Sequence, residues 1–264
     1  MNECERCARP MPEGQAACAV CGGAPRLRAM APEPTAWGTP YAPAMTGHAQ
    51  SVKGLGTAVV VLLGLCVVAS LNGIGADLHR ANVVSSFLDG TDVTSTQLDS
   101  ADTRAGAAGA LQLTALIATG ITFLVWFRRT YLNATAFGAS LPYSAGWAVG
   151  SWFVPFLNLV RPVRIFRSIW QASDPTVDHS VSGAWQLASL SRLITPWWIA
   201  WWTSNLVGRI ASTQLRSDNP DTVLGGLRTL VAGDALEIVA AVLLIVLVRQ
   251  LSARQTSRMA TVPV

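Results

Sequence analysis

The stretch WFVPFLNLVRP, Trp152–Pro162, starts as a membrane helix would and is then interrupted by Pro155, Asn158 and Arg161. Its reading decides how many times the chain crosses a bilayer and where the C-terminus ends up. Proline has no N–H to give the preceding turn, so a helix entering Pro155 breaks there. A broken helix at membrane depth is tolerated only where protein buries it or water reaches it.

Working outward, the 264 residues are 51% hydrophobic and only 13% charged, against about a quarter charged in a soluble domain. Residues 54–76 and 105–127 hold no charge at all. Each run exceeds the roughly 20 residues needed to cross the hydrocarbon. Two further apolar segments lie near 186–210 and 229–248, giving four expected spans at about 55–77, 106–127, 186–210 and 229–248. The first apolar run lies too far from Met1 for a cleaved secretion signal, so helix one is expected to direct its own insertion.

Arginine and lysine counts orient the bundle. With the N-terminus cytosolic and four crossings, fourteen Lys/Arg fall inside and five (Arg80, Arg104, Arg209, Arg216, Arg228) outside. A fifth crossing through residues 144–160 would carry Arg161, Arg164, Arg167 and the basic C-terminus outward, against that bias. Residues 144–162 are therefore expected to form a re-entrant or interfacial hairpin on the cytosolic side, with Trp152 and Phe153 buried and Arg161 at the headgroups. Gly146 and Gly150 form a G-x-x-x-G that would let backbones approach. After the hairpin, Arg161, Arg164 and Arg167 recur every third residue while Val163, Phe166, Ile169 and Trp170 fall on another face. This pattern predicts a short amphipathic helix on the membrane surface, its arginines near anionic lipid headgroups; ordinary positive-inside anchoring accounts for the same arginines.

Trp152-Phe153-Val154-Pro155, Asn158-Leu159 and Arg161-Pro162, with Trp170 downstream, resemble the signature of a bacterial membrane family, domain of unknown function 4328. The resemblance spans roughly residues 55–250. It implies a few membrane helices around a W-F-x-P core, often after a zinc ribbon or a proline-rich linker, and implies no activity.

The chain opens with two C-x2-C pairs, Cys4/Cys7 and Cys18/Cys21. Four thiolates at this spacing suit tetrahedral structural Zn²⁺ with no open coordination position. The competing readings are two disulfides, which need an oxidising compartment, or a redox C-x-x-C. A cytosolic N-terminus favours zinc. Residues 1–24 are thus expected to be a zinc ribbon and 25–52 a Pro/Ala-rich disordered linker. Residues 53–250 would form the membrane domain and 251–264 a disordered cytosolic tail. The whole is expected to be an all-α integral protein of the bacterial plasma membrane with both termini cytosolic.

Asp234 and Glu237 are the costliest residues in the spans, three apart and so on one helix face. They read either as an ion pair with Arg209 that orients two helices, or as a cation or proton site. Trp197, Trp198, Trp201 and Trp202 read as bulky packing or as an aromatic-lined pocket. Asp89, Asp92, Asp99 and Asp102 lie in an outer loop, 77–106, without EF-hand spacing. No Walker loop, H-E-x-x-H or dinucleotide fingerprint is present. With three histidines, the chain has little for catalysis and is expected not to be an enzyme. Residues 1–28 balance four arginines with three glutamates, so no nucleic-acid partner is expected. The expected partners are the lipid bilayer and a cytosolic protein docked on the ribbon, as in a sensor, adaptor or assembly factor; no oligomeric state is signalled. The alternative is a small transporter or channel using Asp234, Glu237 and the break at Pro155/Asn158.

Overall fold

The computed structural model describes residues 2–4, 10–11, 19–22, 25–26, 48–179 and 181–261. The chain divides into two units, 1–39 and 40–264. In the first, three short strands, β1 (Asn2–Cys4), β2 (Pro10–Met11) and β3 (Pro25–Arg26), form an antiparallel sheet ordered β2-β1-β3. Cys4 pairs with Pro25 and Glu3 with Arg26. The first unit's sheet therefore takes in residues 25–26, which the sequence places in the linker.

The described part of the second unit is helical: α1 (Lys53–Leu88), α2 (Ser95–Ala136), α3 (Ala145–Gly150), α4 (Leu157–Ala172), a short 3-10 turn (Ala184–Leu187), α5 (Ile194–Gln214) and α6 (Pro220–Thr261). α1, α2 and α6 are long and apolar enough to cross a membrane. α5 has 21 residues and is not among the helices apolar enough to cross; Thr195, Pro196, Thr203, Ser204, Asn205 and Arg209 flank its tryptophans.

The expected outer loop from 77 to 106 is mostly helix. α1 runs on to Leu88 and α2 starts at Ser95, leaving a six-residue turn, 89–94. Local signals set both boundaries. Gly90 (φ 75°) lets the Thr91 N–H reach the Ser86 carbonyl and closes α1. Thr94 caps α2, its hydroxyl accepting from the Gln97 N–H while the Gln97 side chain accepts from the Thr94 N–H. Arg80 pairs with Asp102 at 2.7 Å across this helical hairpin. At the far end Gly138 (φ 96°) stops α2 in the same way, with the Ala139 N–H on the Ala134 carbonyl.

The expected disordered tail is also helix. α6 continues to Thr261, and Leu251, Ser252, Gln255 and Arg258 are buried. The physical reason is the polar network that this last stretch completes, described below. α4 likewise departs from expectation. Val163, Phe166, Ile169 and Trp170 face the protein core rather than a membrane surface, because α2 and α5 offer Trp126, Phe127 and Trp197 to pack against. The G-x-x-x-G is not a helix contact: Gly146 is exposed, and a side chain at either glycine would meet only Ser144 or Trp147.

Candidate functional site

Three places in the second unit carry unusual chemistry. The first is the break at Pro155. Between α3 and α4, residues 151–156 form turns. The Leu157 N–H donates to the Pro155 carbonyl (2.8 Å) around Phe156, whose φ is 64° and ψ −41°. This is a γ-turn of the rare positive-φ kind, costly for a bulky side chain by about 1–3 kcal/mol. Trp152 plugs inward, its ring edge-on to Phe123 (5.4 Å), Phe127 (6.1 Å), Trp198 (5.8 Å) and Trp201 (5.7 Å). Phe153, expected to be buried, is instead 71% exposed and Phe156 85%. The break turns the chain so abruptly that only one of the three aromatics can face the core.

Asn158 does not satisfy the freed backbone by its side chain: its Oδ1 is buried with no hydrogen-bond partner. Its backbone N–H bonds the Val154 carbonyl (3.0 Å) across the break. Pro162 lies inside α4, so the Asn158 carbonyl has no i+4 N–H above it. Arg161 lies over two rings, Tyr143 (4.9 Å) and Trp147 (4.5 Å). Arg167 donates to the Thr195 hydroxyl (3.1 Å), and Arg164 is exposed. The Trp198 indole donates to the Leu159 carbonyl (3.1 Å), and Trp197 is buried, so the tryptophans of α5 are packing residues that seat α4.

The second place lies toward the α1–α2 turn. Asp234 accepts from the Gln112 amide at 3.1 Å. Arg209, the expected partner, is exposed and makes no ion pair among the described residues. α5 packs on the Gly233 side of α6, near Val207 and Gly208, whereas Asp234 lies about 100° around the helix, facing α1 and α2. Gly73 makes the approach possible, since a Cβ there would stand 2.7 Å from Gln112 Nε2 and 3.1 Å from Asp234 Oδ2. One turn along the same face of α1, Asp77 is 7% exposed. Asp77 lies within electrostatic reach of Asp234 and Arg80, and Glu237 within reach of Asp234 and Cys66. Deeper still, Cys66 Sγ and the Thr119 hydroxyl are 3.2 Å apart.

The third place is at the opposite end. Gln255 is fully buried; it accepts from the Asn133 amide (2.9 Å) and donates to the Thr130 carbonyl (2.9 Å) and the Ser173 hydroxyl (3.0 Å). The Asn133 side chain also accepts from the Gln50 N–H and donates to the Gln50 carbonyl, each at 2.8 Å. The Trp126 indole donates to Ser252 (3.1 Å). Arg254 reaches the Trp170 ring (4.6 Å) and carbonyl (3.3 Å) and the Asp174 carboxylate (3.4 Å). Arg258 donates to the carbonyls of Asp174 and Val177. Burial pushes the Asp174 carboxyl up, but hydrogen bonds from Thr176 and the nearby Arg254 and Arg258 outweigh it and hold it below the usual carboxylate range. Burial, then Arg258, holds the His179 imidazole below its usual value.

Cys7, Cys18 and the side chain of Cys4 lie outside the described residues, so the expected zinc site does too; Cys21 is partly buried. Among the described residues no three His, Cys, Asp or Glu side chains are placed to hold a metal ion. Asp77, Gln112, Asn133 and Gln255 escaped the sequence reading. Asp77 carried one signal, a spacing of three and four residues through Cys66, Ser70 and Gly73 on one face of α1.

The family model described as Domain of unknown function (DUF4328) matches residues 89–253, more than half of the chain. It begins after α1, later than residue 55, so Asp77 lies outside the match. No curated protein and no solved structure matches.

Proposed function

This chain belongs to the family described as Domain of unknown function (DUF4328), and on that premise we propose a non-enzymatic sensor, adaptor or assembly factor of the bacterial plasma membrane. In this reading α1, α2, α5 and α6 each cross once, and the α3–α4 turn is an interfacial hairpin. The observation that carries the topology is the tie between Gln50, Asn133 and Gln255. It gathers the start of α1 and the ends of α2 and α6 at one end, where Arg128, Arg129, Arg249, Arg254 and Arg258 also lie. The positive-inside rule makes that end cytosolic. There Phe153 and Phe156 meet lipid while Arg164, with Arg161 and Arg167, lies near the headgroups. The Cys4/Cys7/Cys18/Cys21 ribbon, holding structural Zn²⁺, docks a cytosolic protein partner.

Two experiments test this. Cysteines placed at Asp92 and Asp218 should react with a membrane-impermeant thiol reagent from outside intact cells, and one at Ser180 should not; the reverse pattern refutes the topology. Cys4→Ser with Cys7→Ser should abolish zinc binding and one set of cross-linked neighbours while the bundle stays folded. Recovery of the same neighbours without the ribbon sinks the docking role.

Asp234, Glu237 and the Pro155/Asn158 break favour a second reading, a small transporter or channel. One continuous path through both is opposed by their separation. Gln112, which binds Asp234, and Phe123, which packs on Trp152, are eleven residues apart on α2, about 16 Å. The Phe123–Trp126–Phe127–Phe166–Trp197 cluster fills the level beyond. Flux that disappears in Asp234→Asn with Glu237→Gln would restore this reading.

A further inference from the structure

The seam between α1, α2 and α6 holds more acid than base. α1 contributes Asp77 and Arg80, α2 contributes Gln112 and Asp102, and α6 contributes Asp234 and Glu237. Arg80 is already engaged with Asp102 at 2.7 Å. Arg104, Arg209 and Arg228 are exposed. Asp234 has one donor, the neutral Gln112 amide. Asp77 is more than nine-tenths buried. Gly73, one turn away on the same face, has given up its side chain where Gln112 and Asp234 meet. Arg80, whose charge reaches Asp77, is shared with Asp102, and two carboxylates drawn together in an apolar interior with no cation to spare do not both stay ionised. Among the described residues no three acidic, His or Cys side chains come together as a metal site needs. A proton needs no such convergence.

We infer that Asp77 and Asp234 form a proton-binding site at the α1–α2–α6 seam, carrying one proton and one negative charge between them near neutral pH. A proton delivered by hydronium from the bulk at the α1–α2 end adds to a carboxylate oxygen of the pair, giving a carboxylic acid and releasing water, and takes the pair from two negative charges to one. Gln112 holds Asp234 in place, and Glu237 with the Cys66–Thr119 contact continues the polar stripe inward. The site goes beyond the docking reading and does not depend on the ribbon or on which face is cytosolic.

Infrared difference spectroscopy on the full chain in lipid nanodiscs tests it. The wild type should show a carboxylic C=O stretch at about pH 7 that disappears on raising the pH and shifts with carboxyl-¹³C aspartate. Asp77→Asn and Asp234→Asn should each lower the titration midpoint of the remaining acid by about one pH unit or more, because its charged neighbour is gone. A wild type without the band, a band indifferent to labelled aspartate, or a midpoint unmoved in both variants overturns the site. The labelling arm needs no substitution, so a variant that misfolds leaves the outcome decided.

Discussion

The two ends of the bundle bury polar groups in opposite ways. At the Gln255 end, amides, hydroxyls and guanidinium groups answer one another: Gln255 meets Asn133, Thr130 and Ser173, and Asp174 meets Thr176 and Arg254. At the Asp77 end, carboxylates outnumber donors, and Gln112 is the one amide bound to Asp234. A satisfied network fixes helices in place. An under-satisfied one keeps a capacity to bind something, and in this seam the smallest candidate is a proton. The contrast separates structural polarity from polarity left available.

The comparison is broken most severely at Gln255. Gln255→Leu leaves one Asn133 N–H and the Ser173 hydroxyl without their Gln255 partner in a buried place, at about 1–3 kcal/mol for each group left unpaired. Thermal unfolding in detergent should show a loss of about 3 kcal/mol; a loss under 1 kcal/mol would mean the network is ornamental. Gly73→Ala puts a Cβ 2.7 Å from Gln112 Nε2 and 3.1 Å from Asp234 Oδ2 and so forces the two apart without changing either acid's chemistry. It should cost about 1–2 kcal/mol and move the titration of the acid pair, whereas Gly75→Ala, two residues on and facing open space, should do neither. Phe156→Gly probes the turn between the two ends: relieving a positive φ should stabilise the folded chain by about 1 kcal/mol in detergent.

pH sharpens the contrast further, with the smallest effects. Asp174 is held below its usual value, so its contribution is complete above about pH 4 and fades as the pH falls through its folded pKa. His179 is also held low: its unfolded form takes a proton near pH 6.5 that the folded form resists. His179 should therefore contribute a loss of stability that begins below about pH 6.5, and Asp174 a further loss below about pH 4. Unfolding midpoints across pH should lose the first step in His179→Gln and the second in Asp174→Asn.

What was legible in the sequence was what one segment decides alone. Pro155 breaks its helix whatever surrounds it, and uncharged runs of 23 residues announce helices. What depended on distant partners was not legible. Arg254 and Arg258 read as a charged tail because their acceptors, the carbonyls of Trp170, Asp174 and Val177, lie more than eighty residues away. Asp77 read as the first residue of a loop because a charge normally ends a span; only the seam explains why α1 carries it inside. Depth, which sequence reports, matches Arg209 to Asp234; azimuth, which it does not report, turns Asp234 away from α5 toward α1 and α2.

α2 and α6 hardly touch along their backbones, yet side-chain bonds join them near both ends, among them Gln112 to Asp234 and Asn133 to Gln255. Both bonds span the same sequence offset, 122 residues. The two helices are therefore parallel rails with rungs 21 residues apart, about 32 Å, and 21 residues is three heptads, the interval at which left-handed supercoiled helices bring the same face back. Such a ladder has one register. Sliding α6 by a single turn breaks the rung at each end together, so a change of protonation at the upper rung is felt as strain on the lower.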